Sequence, residues 1–210
     1  MKRLAMAMAF VATMSAAGAA APAAAATESP EQFVERTSKD VLAILRDPAL
    51  AHDAKIVRLQ KMMDERSDFD TISKLVLASH YRQFSDGQRM DFVELLHRYL
   101  TTTYGQQIDN YGNETVSVTG GRAEARGDYT VQTRIKRNNG QDLSVEYRLR
   151  KVGEDWRLID VIGEGISLVS NLRSQFGEIL NDGGPDKLLK VLREKNAAGK
   201  PADLPAAKKS

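Results

Sequence analysis

Histidine and cysteine are the residue types that most often bind metals or carry nucleophilic chemistry, and this chain of 210 residues has few of them. It contains no cysteine and three histidines, His52, His80 and His97. The histidines fall on different predicted segments without the short spacing of a zinc site, and no thiolate is available to complete a ligand set. The sequence therefore predicts no metal site, and the lack of cysteine excludes disulfides and a bacterial lipoprotein anchor.

Asp68 and Asp70 are two carboxylates spaced so that they could share a metal ion. No third or fourth ligand lies nearby in the sequence, however. Aspartate is common at the N-cap and in the first turn of a helix, where it accepts hydrogen bonds from free backbone amides and interacts with the helix dipole. We therefore expect both residues to open a short helix that continues through Leu75, Val76 and Leu77.

A dispersed acid–base site is the remaining catalytic possibility. Asp160, Glu164 and His97 can converge in space, although both carboxylates can equally bond backbone groups or an arginine such as Arg173. The chain has no glycine-flanked serine elbow, no phosphate-binding glycine loop and no dinucleotide-binding fingerprint. We therefore expect a protein that is not an enzyme, with no catalytic residue and no cofactor.

The N-terminus has the pattern of a secretory signal peptide. Two basic residues precede an uncharged apolar run that ends in Ala24-Ala25-Ala26 and is too short to span a bilayer. We expect residues 1–26 to be removed on export to the periplasm and residues 27–195 to form one soluble domain that is not lipid-anchored. Residues 196–210 lack apolar periodicity and are expected to be a disordered tail.

Removal of this segment also changes the charge balance. The chain has 30 basic and 28 acidic residues, and it loses Lys2 and Arg3 but no acid, so 28 of each remain. A neutral protein has no overall field that attracts nucleic acid or an anionic membrane. We expect no nucleic-acid partner, and any membrane contact has to come from a local patch or a docking protein.

The predicted elements begin with helices that carry clear start signals. Ser29 with Gln32, and Ser85 with Gln88, are capping boxes in which a serine and a glutamine three residues later bond to each other's backbone amides. Apolar residues then recur every three or four positions, which indicates amphipathic helices. The helix that begins at Ser85 is long, and its apolar face is rich in tyrosine.

The middle of the chain switches to the alternation typical of half-buried strands. Gly120-Gly121 and Asn138-Asn139-Gly140 predict turns within a set of about four antiparallel strands. Helices resume at Ile166 and break again at Gly183-Gly184. Elements segregated in this way predict an α+β domain, with helices packed on one face of an antiparallel meander.

Residues 155–180 join the last strand to the helix that follows it. Alternation predicts Trp156 and Asp160 on one face of the strand. Gly163 and Gly165 are expected to let the backbone bend sharply where the strand passes directly into the helix. The apolar face of that helix consists of Ile166, Val169, Leu172, Phe176, Ile179 and Leu180.

The same stretch carries a motif of five residues, Trp156, Asp160, Glu164, Gly165 and Ser167. The motif closely resembles that of the MlaC family, also called toluene-tolerance auxiliary proteins, which are periplasmic phospholipid carriers and the substrate-binding components of an ABC transporter system. In that family the motif lies where the sheet meets the helix that closes a lipid pocket.

A second block, residues 69–111, resembles the central helices of the same family. The matching pairs include Tyr81-Arg82, Tyr99-Leu100 and Tyr104-Gly105. Ala78 departs from the pattern, because the family commonly has glycine at this position. The whole resemblance covers roughly residues 30–195.

The resemblance implies a sheet curved into a nuclear-transport-factor-like cone, with helices before and after it enclosing an apolar pocket. The residues expected to contact lipid are Val76, Phe92, Leu96, Tyr99, Tyr104, Tyr129, Val131, Val145, Tyr147, Trp156, Ile166, Val169 and Phe176. The composition equally permits these side chains to fill a solid core.

The role that the resemblance implies is a shuttle between an inner-membrane ABC lipid transporter complex and an outer-membrane lipoprotein complex, which maintains outer-membrane lipid asymmetry. A monomer is expected, with Arg82, Arg89 and Arg122 either as docking contacts or as part of a solvated face. Three alternatives stay open: a carrier of the same family for another lipid such as a hopanoid, a secreted enzyme on a related conical fold, and a structural adaptor with a filled core.

Overall fold

A computed structural model describes residues 28–105, 114–137 and 141–198, with Tyr104 described by its backbone alone. The helices are α1 (Pro30–Arg46), α2 (His52–Arg66), α3 (Phe69–Leu77), α4 (Asp86–Gly105) and α5 (Leu168–Ala198). The strands are β1 (Thr115–Ala123), β2 (Tyr129–Lys136), β3 (Leu143–Val152), β4 (Asp155–Gly163) and β5 (Ile166–Ser167). They form one open antiparallel sheet in the order β1-β2-β3-β4-β5, so the predicted α+β class is confirmed.

Local side-chain bonds fix where the helices begin. Ser29 Oγ accepts a hydrogen bond from the Gln32 amide at 3.2 Å, and Gln32 Oε1 accepts one from the Ser29 amide at 2.9 Å. Ser85 and Gln88 make the same reciprocal pair before α4. Asp68 caps α3 by accepting from the Thr71 amide at 2.9 Å, which confirms its predicted role as a helix cap.

The hydrophobic interior divides into two clusters. The first, which we call the helical core, joins α3, α4 and α5 and includes Ile159 of β4. The second, the sheet core, packs Phe33 and Val34 of α1 against Val131 and Leu149 of the sheet. α1 therefore lies on the sheet, whereas α3, α4 and α5 pack mainly against one another.

The turn predicted at Gly120-Gly121 is wrong, because β1 continues through both residues. Glycine is required here for close packing: a Cβ on Gly121 would lie 2.5 Å from the Tyr129 ring and 2.8 Å from Glu31 Oε1. The chain reverses instead at Ala125–Gly127. The other predicted turn, at residues 138–140, lies outside the described residues.

The passage from β4 to α5 is a tight hairpin, and the predicted direct passage from strand to helix is wrong. Gly163 ends β4, and Glu164 and Gly165 form the turn with φ of 50° and 80° before the two residues of β5. Two successive positive φ angles are typical of a type I′ turn, which favours glycine at its second position. Ser167 of β5 then leads directly into α5.

A bulge in β4 also separates Trp156 from Asp160, so their predicted shared face is wrong. The register shifts by one residue and leaves Ile159 unpaired between Leu158 and Asp160. Trp156 and Leu158 therefore point toward the sheet core, and Asp160 points to the opposite side.

α5 has the predicted interruption, since Gly184 adopts φ 66° immediately before Pro185. The helix continues to Ala198, beyond the predicted domain boundary at Lys195. Asn196 is buried and donates a hydrogen bond from Nδ2 to the Leu95 carbonyl at 3.0 Å. In the part of the chain that the structure describes, no helix is both long enough and apolar enough to cross a membrane.

Candidate functional site

One row of small and apolar residues crosses all five strands on a single face of the sheet. Val118 pairs with Thr133, Thr133 with Val145, Val145 with Gly163, and Gly163 with Ile166. Residues paired directly across antiparallel strands project to the same face, so the five form a continuous line. We call the face that bears them the inner face.

A second row runs parallel to the first. Val131 pairs with Tyr147, and Tyr147 pairs with Val161. Each lies two residues along its strand from a member of the first row, and therefore on the inner face as well. Toward α1 the inner face ends in the sheet core, where Phe33 and Val34 cover Val131.

The inner face is covered unevenly. Val131 and Val145 are buried, whereas Val161 is only half-buried and Ile166 keeps 41 % of its surface exposed. At Gly163 an added Cβ would meet no heavy atom within 4 Å. The β4–β5 end of the inner face therefore has open space in front of apolar side chains.

Tyr147 is the largest polar side chain of the two inner-face rows. Its side chain is half-buried, and burial raises the pKa of its hydroxyl, with the Thr133 hydroxyl acting in the opposite direction. The phenol is therefore neutral at ordinary pH. Because the Thr133 hydroxyl donates to the Val145 carbonyl at 2.8 Å, the Tyr147 hydroxyl is the donor in its contact with Thr133.

Asp160 and Ser167 fix the start of α5 beside this open end. Asp160 is 4 % exposed; its Oδ2 accepts from Ser167 Oγ at 2.6 Å and its Oδ1 accepts from the Val169 amide at 3.0 Å. Ser167 Oγ in turn accepts from the Ser170 amide at 3.0 Å. The carboxylate thus caps a helix N-terminus, which favours negative charge.

The other candidate acid–base residues have separate structural partners. Glu164 Oε1 accepts from the Ser144 amide at 2.8 Å, which fixes the β4–β5 turn to β3. His97 Nε2 lies 2.5 Å from Asp64 Oδ1 and its ring packs edge-on against Phe69. No hydrogen bond within the described ranges joins any two of Asp160, Glu164 and His97, and no group of three potential metal ligands occurs there.

The predicted lipid-contact residues do not share one wall. The helical core contains Val76, Phe92, Leu96, Tyr99, Val169 and Phe176. Tyr129, Val131, Tyr147 and Trp156 belong to the sheet core or pack against it, while Val145 and Ile166 lie in the first inner-face row. The side chain of Tyr104 lies outside the described residues. The predicted lipid-contact set omits Val118, Thr133, Val161 and Gly163, which the strand register places on the inner face.

Two aromatic residues of the predicted set hold α1 against the sheet. The Tyr129 hydroxyl donates to Glu31 Oε1 at 2.5 Å, and Trp156 Nε1 donates to the Glu28 carbonyl at 3.1 Å. The Tyr129 bond lowers the pKa of Glu31, and Glu31 raises the pKa of Tyr129. Each ring contributes an apolar body and a polar tip that finds a partner.

The arginines expected at docking contacts are engaged to different degrees. Arg122 bonds to Glu124 and Glu146. Arg89 bonds to Asp86 and to the Tyr81 carbonyl, with its guanidinium 4.4 Å from the centre of the Tyr81 ring. Arg82 is exposed.

Comparison with known proteins gives consistent matches over most of the chain. The Toluene tolerance protein ttg2D of Pseudomonas putida is 27 % identical over 170 residues, which is 77 % of each chain. The intermembrane phospholipid transport system binding protein MlaC of Haemophilus influenzae is 24 % identical over 123 residues, which is 57 % of this chain and 58 % of that protein.

A solved structure shares the fold. The phospholipid-binding protein from Ralstonia solanacearum, determined in complex with a phospholipid, superposes with a TM-score of 0.71 at 26 % identity, covering 80 % of this chain and 97 % of that one. The family model described as MlaC protein matches residues 35–194, which include α3 to β5, the inner face and the cap of α5. This chain therefore belongs to the MlaC family.

Proposed function

We propose that this protein is a soluble periplasmic carrier of phospholipid. It shuttles lipid between an inner-membrane ABC lipid transporter complex and an outer-membrane lipoprotein complex, and so maintains outer-membrane lipid asymmetry. Residues 1–26 act as the signal peptide for export. The observation that carries the proposal is the incompletely covered inner face, in a chain that resembles a protein solved with a phospholipid bound.

The energetics require a dry surface of this kind. Transfer of an acyl chain of about 15 methylenes from a bilayer into water costs about 12 kcal/mol, at about 0.8 kcal/mol for each methylene. An apolar site that matches the bilayer removes most of this cost. Loading and unloading are then nearly balanced, so direction has to come from the two membrane complexes.

We propose that an acyl chain lies along the two inner-face rows and enters at the Gly163–Ile166 end. Val131, Val145 and Tyr147 line its path, and Tyr129 and Trp156 close the end nearest α1.

The helical members of the predicted set, with Tyr104, form the opposite wall in this proposal. Phe92 and Leu96 have no exposed surface, and Val76 has 1 %. An acyl chain reaches them only if α3, α4 and α5 separate from one another. Val131 and Val145 are also buried, whereas Gly163 and Ile166 border open space. We therefore propose that the acyl chain first contacts the β4–β5 end of the inner face and reaches the buried residues only when the elements that cover them move.

The proposal treats the protein as a carrier and not as an enzyme, since Asp160 and Glu164 hold backbone elements in place and His97 pairs with Asp64.

A transfer assay tests whether the protein carries phospholipid between membranes. Donor vesicles carrying radiolabelled phosphatidylethanolamine are mixed with the mature protein, and label is followed first into the protein fraction and then into acceptor vesicles. We expect label in both, and failure of any label to leave the donor vesicles would contradict the proposal.

A further inference from the structure

A groove lies between α3, α4 and the junction of β3 with β4, and it contains none of the inner-face rows. Its volume is about 590 Å³ and it is open to solvent along its length. Phe69 and Val93 line it from the two helices, and Val152 and Arg157 line it from the strands. We call it the α3–α4 groove.

The α3–α4 groove collects exposed apolar surface. Met90 is 70 % exposed and Val152 is 48 % exposed, and both line it. Among the described residues the other exposed large hydrophobics are Val57 and Ile166, which lie elsewhere. Exposed apolar side chains grouped in one groove mark a contact surface more often than scattered ones do, and methionine adapts to varied partners.

The rim of the same groove is acidic. Asp70 and Glu94 are exposed and take part in no hydrogen bond or ion pair in the described part of the chain, and Asp64 and Asp68 lie beside them. The one fully charged cation that lines the groove, Arg157, is 3.4 Å from Asp155. The groove therefore has a local negative field, although the chain is close to neutral as a whole.

A buried hydroxyl adds a polar requirement. Ser67 lines the groove and is 7 % exposed, and its Oγ has no hydrogen-bond partner within the described ranges. Buried polar atoms usually find a partner, and because this Oγ has almost no exposed surface, a peptide group in the groove can reach it only after a small shift of the groove lining.

We propose that the α3–α4 groove docks a short basic segment of a partner protein. The segment places one or two apolar side chains against Met90, Val93 and Val152, and its lysine or arginine side chains lie beside Asp70 and Glu94. Charge complementarity selects this occupant over an acidic segment or an anionic lipid surface. The inference goes beyond the carrier function, because the groove and the inner face share no residue.

The test uses a short fluorescent peptide of lysine and leucine, with a glutamate and leucine peptide of equal length as its counterpart. Binding to the mature protein is followed by anisotropy at low and high salt. We expect the lysine peptide to bind, and the glutamate peptide not to bind. Binding should weaken as salt rises, because the contacts are exposed charges.

Two variants locate the binding, and two others serve as controls. Met90→Ser and Glu94→Lys should each weaken binding of the lysine peptide by about tenfold, equivalent to about 1.4 kcal/mol. Val57→Ser and Glu178→Lys are the controls: each replaces an exposed hydrophobic residue by serine or an exposed glutamate by lysine outside the groove, and should leave binding unchanged. Thermal unfolding checks that all four fold. Equal binding of both peptides, undiminished binding by the two groove variants, or displacement of the peptide by phospholipid would overturn the proposal.

Discussion

Gly163 and Ile166 pair directly across the turn between β4 and β5, and no heavy atom lies within 4 Å of the point where a Gly163 side chain would begin. This pair is the open end of the first inner-face row, whose middle members Thr133 and Val145 are buried. The family motif around it has a structural explanation. Its polar members cap α5 and fix the turn, and so hold the open end in shape.

Filling that space should block lipid without harming the fold. Gly163→Leu places an apolar side chain in open space, and Gly163 has no positive φ that would disfavour a side chain. The free energy of unfolding should therefore be unchanged or higher by about 0.5–1 kcal/mol. We expect phospholipid binding to weaken by about tenfold, or about 1.4 kcal/mol. Gly163→Ala is the matched control and should retain lipid. Full lipid loading of the leucine variant would show that the acyl chain lies elsewhere.

Replacing Ala78 with glycine should stabilise the protein. It ends α3 with φ 48° and ψ −120°, a conformation in which a Cβ is strained. Ala78→Gly is expected to raise the free energy of unfolding by about 1 kcal/mol, and Ala78→Val to lower it. Urea denaturation measures both. A glycine variant no more stable than the wild-type protein would contradict the assigned strain.

The Asp160 carboxylate should stabilise the fold by capping α5. Asp160→Ala removes the acceptor for Ser167 Oγ and the Val169 amide, at an expected cost of about 2–3 kcal/mol. Asp160→Asn keeps one carbonyl acceptor and should cost less. Chemical denaturation of the two variants checks this order, and an alanine variant within experimental error of the wild-type protein would refute the capping role.

The contact of α1 with the sheet should weaken in acid. The hydrogen bond from the Tyr129 hydroxyl lowers the pKa of Glu31 in the folded protein below its ordinary value of 4.5. The Glu31 carboxylate therefore stabilises the fold fully above pH 4.5, and this stabilisation is lost as the pH falls below 4.5 and through the lowered pKa. Trp156, the single tryptophan, reports the change because it bonds to Glu28 and its ring lies 6.3 Å from that of Tyr129.

Tyr129→Phe should remove this acid dependence in part. Without the hydroxyl, the pKa of Glu31 returns toward its ordinary value, and the protein loses stability at neutral pH. The fluorescence transition of Trp156 should therefore move to higher pH. Glu35→Gln, an exposed change on the same helix, should leave it in place. An acid transition unaltered by Tyr129→Phe would refute the coupling.

The features that sequence predicts best are those decided by neighbours in the chain. The two capping boxes and the Asp68 cap form within three residues, so their chemistry is readable from spacing. The α+β class follows from the order of helical and alternating patterns.

The failures come from contacts distant in sequence. Gly121 is glycine because Glu31 and Tyr129 approach it, and nothing near Gly121 in sequence signals this. The bulge at Ile159 reverses the alternation of β4, and so Val161 and Gly163 join the inner face unpredicted. The sequence thus indicated which types of residue line the candidate site. It could not predict which of them share a row, because the rows depend on the strand register.

Native mass spectrometry of the mature protein, purified from the periplasm without detergent, tests the central claim most directly. We expect a stoichiometric added mass that denaturation releases as phospholipid. Release of a hopanoid instead would support a carrier function but contradict phospholipid as the cargo. A bare polypeptide mass that persists after incubation with phospholipid vesicles would contradict the carrier function itself.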